Sequence, residues 1–268
     1  MQRRCERAFV IGLDGAGGGA LNEAQTPQID QLLAEGVWTY AAQTVYPSSS
    51  FPAWGAMFHG VRPERHRIDE AHPIAEDVPW PSFFKLARQA WPDCDLASFS
   101  CWEPINGRAI EPSCACHLVS LPDPELVPAA IEYIRTRDPK LVFVQLDHID
   151  AAGHKYGYGS RAYLEQIAQH DRYVGAIVEA IRDAGLYEDS LILLVSDHGG
   201  HERTHGTRHP QDMTIVWGCR GPGISSGGEL ESAVHIVDTA AVVTHALGLP
   251  RPPAWEAKIP AGVLADSP

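Results

Sequence analysis

Leu191-Ile192-Leu193-Leu194-Val195-Ser196-Asp197-His198-Gly199-Gly200 is the stretch that decides the fold. Its apolar run is too short for a buried helix and has no polar alternation, so it predicts a strand covered on both faces, as in parallel sheets. The chain leaves that strand through an acid, an imidazole and two glycines, the composition of a sharp turn. Two other stretches repeat the design. Phe9-Val10-Ile11-Gly12-Leu13 runs into Asp14 and the glycine-rich segment after it, and Leu141-Val142-Phe143-Val144-Gln145-Leu146 leads through Asp147-His148-Ile149 to Asp150.

Helical patterns separate these strands. Thr26-Pro27 starts one that ends near Gly36, and others are expected from about Pro52 to Gly60 and from Ser82 to Gln89. A helix follows the proline-rich stretch Leu121 to Pro128, and further helices run from about Arg161 to Ala184 and from Asp238 to Leu247. Additional strands are expected at Asp95 to Phe99 and near Thr214 to Gly218. This alternation predicts an α/β fold with three layers: a mainly parallel central sheet with helices on both faces. Pro73 to Pro81 and Gly221 to Gly228 read as surface excursions. With no internal repeat or low-complexity tract, a single domain over residues 1–268 is expected.

The chain of 268 residues is 44% hydrophobic and carries 21 Lys+Arg against 34 Asp+Glu, a formal charge of −13. That balance, with no basic cluster beyond Arg3-Arg4, argues against a nucleic-acid partner or an anionic membrane surface. An acidic chain that handles anionic substrates needs local compensation, which bound cations would supply. The apolar run from Ala8 to Leu13 is short for a secretory leader, and no stretch reaches the length of a membrane span, so a cytoplasmic location with reduced cysteines is expected. Cys114-Ala115-Cys116-His117 reads as small residues on a loop or edge strand rather than as a metal site.

Acids at the carboxyl ends of strands are where open α/β sheets build their crevices. Asp14, Asp150 and Asp197 all fall there in this reading, each within two residues of glycine or histidine. Asp150 and His154 are four residues apart and share a face if the segment is helical. Asp197 is followed directly by His198. Mixed carboxylate and imidazole ligation suits Zn²⁺ or Mn²⁺ better than Ca²⁺, and a dinuclear site is the simplest account. The loop beyond Asp197 adds His201, His205 and His209, one of which is expected to complete the set. A nucleophile candidate stands in Ser48-Ser49-Ser50-Phe51-Pro52, at a helix N-terminus whose free N–H groups favour a phosphoryl anion, although one of the three serines must be the helix cap.

With these residues quoted, the sequence resembles the alkaline phosphatase superfamily and, within it, the type I phosphodiesterase/nucleotide pyrophosphatase branch. The resemblance is carried by Leu13-Asp14-Gly15, Pro47 with Ser50-Phe51-Pro52, and Gly60 with Pro63. Further along it is carried by Asp150 with Gly153-His154, Ser196-Asp197-His198-Gly199, Thr204-His205-Gly206 and the late helix ending Ala246-Leu247-Gly248-Leu249-Pro250. It implies that Asp150, His154 and His205 hold one divalent metal ion, while Asp14, Asp197 and His198 hold a second, with Ser50 bridging toward it. It also implies attack by Ser50 on phosphorus and a phosphoseryl intermediate. The implied substrate is a small phosphorylated molecule, and oligomeric state is not readable. His201 remains an alternative to His205.

Two departures from the family pattern stand out. Where the family commonly shows His-Gly-Ile/Val followed by an Asn that contacts the phosphoryl oxygen, this chain reads His66-Arg67-Ile68-Asp69-Glu70-Ala71; Arg67 could replace that contact, or the segment could have moved. The chain also lacks room for the large inserted regions of bigger relatives. A sulfatase of the same superfamily would need arginine where Trp54 stands. Phosphonate hydrolysis and, from another class, a non-catalytic metal-binding module are the alternatives. Trp54, Trp102 and Tyr158 could stack on a base but read as core or rim residues.

Overall fold

A computed structural model describes residues 5–265, so Arg3-Arg4 lies outside the described residues. The chain begins with β1 (Arg7–Leu13), α1 (Gly18–Glu23), α2 (Pro27–Ala34), β2 (Val37–Gln43), α3 (Ser50–His59), α4 (Pro63–His66) and α5 (Phe83–Ala90). It continues with β3 (Asp95–Ser100), α6 (Pro104–Arg108), β4 (His117–Val119), α7 (Asp123–Thr136), β5 (Pro139–Leu146), α8 (His148–Tyr156) and α9 (Arg161–Asp183). Last come β6 (Ser190–Val195), α10 (Pro210–Met213), β7 (Thr214–Arg220), β8 (Gly228–Glu229) and α11 (Asp238–Leu247).

All eight strands join one sheet in the order β4-β3-β5-β1-β6-β7-β2-β8. Pairing is parallel except around β7, which runs antiparallel to β6 and β2. Alternate residues of the central strands point to opposite faces, as the period of two requires. Phe9, Ile11 and Leu13 pack with α2, α7 and α9, while Ala8 and Val10 pack with α3, α5 and α11. The three-layer α/β architecture read from the sequence is therefore present.

Register brings the chemistry together. In the parallel pairings Leu13 lies opposite Leu146 and Gly12 opposite Val195, so the chain leaves β5, β1 and β6 side by side. Asp14, Asp147 and Ser196-Asp197 follow those exits directly. Gly12 adds a second condition. A Cβ there would lie 2.6 Å from the Trp54 ring, so only glycine lets α3 pack its indole beneath the end of β1.

Several local expectations change. Asp150 does not end a strand: β5 stops at Leu146, and Asp150 lies in the first turn of α8. The run Leu146-Asp147-His148-Ile149 carries no glycine or proline to mark the boundary. Helix α3 starts at Ser50 rather than Pro52, with extended Ser49 in the cap position and Gly60 in the left-handed conformation (φ 59) at its end. Helix α7 begins inside the proline-rich stretch and tolerates Pro128. Strand β2 was not anticipated. Cys114 lies in a 3-10 turn, and His117 opens strand β4 stacked on Tyr133 at 4.9 Å, consistent with the structural reading of that segment.

Candidate metal centre and nucleophile

Asp14, Asp197 and His198 are buried, and their ligating atoms lie within 4.8 Å of one another. His198 Nε2 is 3.6 Å from Asp14 Oδ1 and 3.3 Å from Asp197 Oδ2. On the open side, His154 Nε2 is 3.2 Å from Asp150 Oδ2, and His205 Nε2 is 3.8 Å from Asp150 Oδ1. The two groups adjoin, since His198 and His205 stack at 3.8 Å. Ser50 Oγ sits 3.4 Å from His198 Nε2. The structure thus gathers all seven sequence-predicted residues.

The hydrogen bonds orient these groups outward from the protein frame. His154 Nδ1 donates to Arg203 O at 3.0 Å, His198 Nδ1 to Gly199 O at 2.8 Å and His205 Nδ1 to Ser48 O at 3.0 Å. A carbonyl oxygen can only accept, so each Nδ1 carries the proton and each neutral ring offers Nε2 as a lone pair. His154 Nε2 and His205 Nε2 face each other at 3.1 Å. Two lone pairs at that distance repel unless a cation or a proton lies between them.

The carboxylates show the same bias. Asp14 Oδ2 accepts from Trp54 Nε1 at 3.0 Å and Gln145 Nε2 at 2.9 Å, and Asp197 Oδ1 accepts from Gly15 N at 3.0 Å and His198 N at 2.9 Å. Their other oxygens, Asp14 Oδ1 and Asp197 Oδ2, are buried with no hydrogen-bond partner. Buried carboxylate oxygens left bare are expensive, and none of Asp14, Asp147, Asp150 or Asp197 is paired with Lys or Arg among the described residues. Both groups therefore have the donor chemistry to hold a divalent cation.

Electrostatics of the metal-free chain agree. Burial, then the Asp150 charge, pushes Asp197 up to about 7, and burial with the Asp197 charge raises Asp14. Burial and the Asp150 charge push Asp147 up to about 6. Burial lowers the imidazoles of His198, His205 and His66, the last to about 3. The signs oppose. Raised carboxylates stabilise the fold when protonated and lose that contribution as pH rises through about 7; depressed histidines lose theirs as pH falls below about 6.5, where the unfolded chain takes up protons. Metal-free protein is therefore expected to melt highest near pH 6 to 6.5 and lower at pH 8, and zinc at pH 8 should raise its Tm. Thermal denaturation in chelator across pH 5–9 checks this; a Tm that climbs steadily to pH 8 without metal would refute it.

Several supporting residues were missed by sequence reasoning. Gln145 also donates to Asp147 Oδ1 at 3.2 Å; its signal was a polar residue inside an otherwise apolar strand. Trp54 is core, as expected, but its indole also holds Asp14. Asp123 accepts from the backbone N–H groups of Asp147 and His148 and from His170 Nε2 at 2.8 Å, fixing the start of α8. Nothing local in the sequence marks it. Of the three serines, Ser48 donates to Thr207 O at 2.6 Å, Ser49 occupies the cap position, and Ser50 faces the cluster. His201 is engaged elsewhere, its Nδ1 donating to Asp212 Oδ1 at 2.6 Å, and of the two candidates it is His205 that lies beside Asp150. Arg67 lies outside the cleft at Ser50, its Nε bonded to Glu64 O at 3.4 Å. Glu70, from the same departing segment, lines that cleft together with Phe51, Trp102 and Asp147.

Comparison with known proteins follows the same lines. The family described as "Type I phosphodiesterase / nucleotide pyrophosphatase" matches residues 8–72 and 70–212, a span that contains every residue of the cluster. Mouse ectonucleotide pyrophosphatase/phosphodiesterase family member 1 is 22% identical over 194 residues, covering 65% of this chain and 21% of the mouse protein. The bis(5'-adenosyl)-triphosphatase ENPP4 of Pongo abelii is 22% identical over 221 residues, covering 72% of this chain and 47% of that protein. The chain thus spans about a fifth to a half of the length of these relatives. Among solved structures, murine ectonucleotide pyrophosphatase/phosphodiesterase 5 superposes with a TM-score of 0.77 at 15% identity, covering 92% of this chain and 96% of that one. The 2-O GAG sulfatase BT1596 shares the fold at a TM-score of 0.78 and 13% identity, over 95% of this chain and 73% of that one. Taken with the strand-end acids, the two triads and the serine before Pro52, the match identifies the chain as a member of the type I phosphodiesterase / nucleotide pyrophosphatase family.

Proposed function

We propose that this chain is a metal-dependent hydrolase of phosphate esters, of the phosphodiester or nucleotide pyrophosphate type, with Ser50 as nucleophile. The observation that carries this is the position of Ser50, first residue of α3 and 3.4 Å from His198 Nε2, beside both triads. Asp150, His154 and His205 would hold one cation, and Asp14, Asp197 and His198 the other, with zinc favoured and manganese compatible. Bound there, the cations would ease ionisation of the serine hydroxyl and neutralise charge on the phosphoryl group. The first turn of α3 adds backbone N–H groups without intrahelical partners, which suit an anion. Ser50 Oγ then attacks phosphorus, one ester oxygen leaves, and the phosphoryl group passes to serine before hydrolysis frees it.

The cleft over Ser50, about 480 Å³, has Glu70 and Asp147 in its wall and no Lys or Arg. An additional negative charge on the substrate is unwelcome there, so diesters should be preferred to monoesters. Bis(p-nitrophenyl) phosphate is expected to turn over with added Zn²⁺ or Mn²⁺ and to stop in chelator, with p-nitrophenyl phosphate at least tenfold slower in kcat/KM. Protein that binds two metals per chain yet hydrolyses neither would instead support a metal-binding module.

A further inference from the structure

Tyr158 lies just past α8, and its ring occupies a slot that only two glycines leave open. A Cβ at Gly153 would lie 2.4 Å from the ring, and one at Gly200 would lie 2.5 Å from it. Gly153 belongs to α8, which carries Asp150 and His154; Gly200 belongs to the loop that carries His205. The ring also meets Tyr163 edge-on at 5.3 Å and His154 at 5.8 Å. Its backbone N–H donates to Glu202 O at 2.8 Å, next to the Arg203 carbonyl that orients His154. At the end of this wedge the phenol hydroxyl donates to Asp150 Oδ1.

We infer that Tyr158 is a positioning residue for the cation site of Asp150, His154 and His205: its hydroxyl sets the rotation of the Asp150 carboxylate, and its ring holds the two ligand-bearing segments in register. The inference rests on the metal-site reading above. A carboxylate otherwise rotates about its terminal bond at little cost. Tied at Oδ1 to a hydroxyl that cannot move between Gly153 and Gly200, it keeps Oδ2 3.2 Å from His154 Nε2. Groups that hydrogen-bond to metal ligands typically contribute 10–100-fold to metal affinity. The Asp14, Asp197 and His198 group receives no bond from Tyr158, so the effect should fall on one site of the two.

Tyr158→Phe keeps the ring and removes only the hydroxyl. Competitive titration of the metal-free full chain with Zn²⁺ is expected to show one equivalent bound as in wild type and one bound about 10–100-fold more weakly. Excess Zn²⁺ should restore kcat to within a few fold, a recovery that a general packing defect would not show. Wild-type affinity for both equivalents, or equal weakening of both, would overturn the proposal. Wild-type protein that takes up no zinc would overturn the metal-site reading itself, a separate failure visible before any variant is made. Tyr158→Leu, which leaves the slot partly filled and cannot bond Asp150, should match or exceed the loss seen with phenylalanine; tighter binding than in Tyr158→Phe would also count against the proposal.

Discussion

Ser50→Ala should lose roughly a thousandfold or more in kcat while keeping the metal content of the wild type. The hydroxyl is the only group removed. Asp14, Asp197 and His198 reach their positions through bonds to Trp54, Gln145, Gly15 and Gly199, none of which involves Ser50. Residual turnover would come from water acting in the intact cluster. Neighbouring serines make the controls. Ser49→Ala should leave turnover within a few fold, since the Ser49 side chain makes no cap bond. Ser48→Ala removes the bond to Thr207 O and should loosen the loop that carries His205, weakening metal binding rather than chemistry. Steady-state kinetics beside metal analysis of the same samples read all three. A Ser50→Ala protein within tenfold of wild type would remove Ser50 from its assigned role.

Asp197→Asn should abolish turnover and yet raise the stability of the metal-free protein. Asp197 Oδ1 keeps its two backbone donors in the amide, while the replaced Oδ2, buried and without a partner, becomes an NH₂ group. That group can donate to the His198 Nε2 lone pair, which lies 3.3 Å from Asp197 Oδ2. Repulsion between two buried carboxylates is exchanged for a hydrogen bond, and a net gain of about 1–3 kcal/mol is the scale of such a repair. For a chain of this size each kcal/mol moves Tm by roughly 2–4 °C. The gain should be clearest in chelator at pH 8, where Asp197, held near 7, is ionised in the wild type. With zinc present the order should reverse, because the variant loses a ligand and the wild type is stabilised by what it binds. A variant that melts below wild type in chelator would show that the cluster is not strained by its own charge.

Such opposing trends are what a fold shows when it gathers unfavourable charge at a candidate metal site. Four acids, Asp14, Asp147, Asp150 and Asp197, stand within one crevice without a Lys or Arg partner among the described residues. Proteins often concentrate such strain where function needs it. The tautomers of His154, His198 and His205 point the same way, since three separate carbonyls turn three lone pairs toward one space.

Strands β1, β5 and β6 were legible because strands covered on both faces must be apolar throughout, and strand-end acids were legible because such sheets bind ligands at that edge. Strand β2 was not, since it pairs antiparallel with β7 near the sheet margin and its burial is only partial. The placement of Asp150 was misread for a related reason: helix α8 follows β5 with a single intervening residue, and no local signal separates them.

Chemistry along the chain was enough to single out candidate ligands and a run of candidate serines, because carboxylate, imidazole and hydroxyl groups at strand ends and helix starts carry their meaning locally; their grouping and the choice of Ser50 came from the family resemblance. Which groups support them was decided only by tertiary structure. Trp54 meets Asp14 across 40 positions, Gln145 meets it across 131, and Asp123 reaches His170 across 47. His205 is favoured over His201 in the sequence only through the family pattern at Thr204-His205-Gly206. They part because Asp212, buried beneath the loop, binds His201 and Thr207 and so leaves His205 facing Asp150. Such choices depend on which side chains a closed core brings within hydrogen-bond reach, a property that no local pattern encodes.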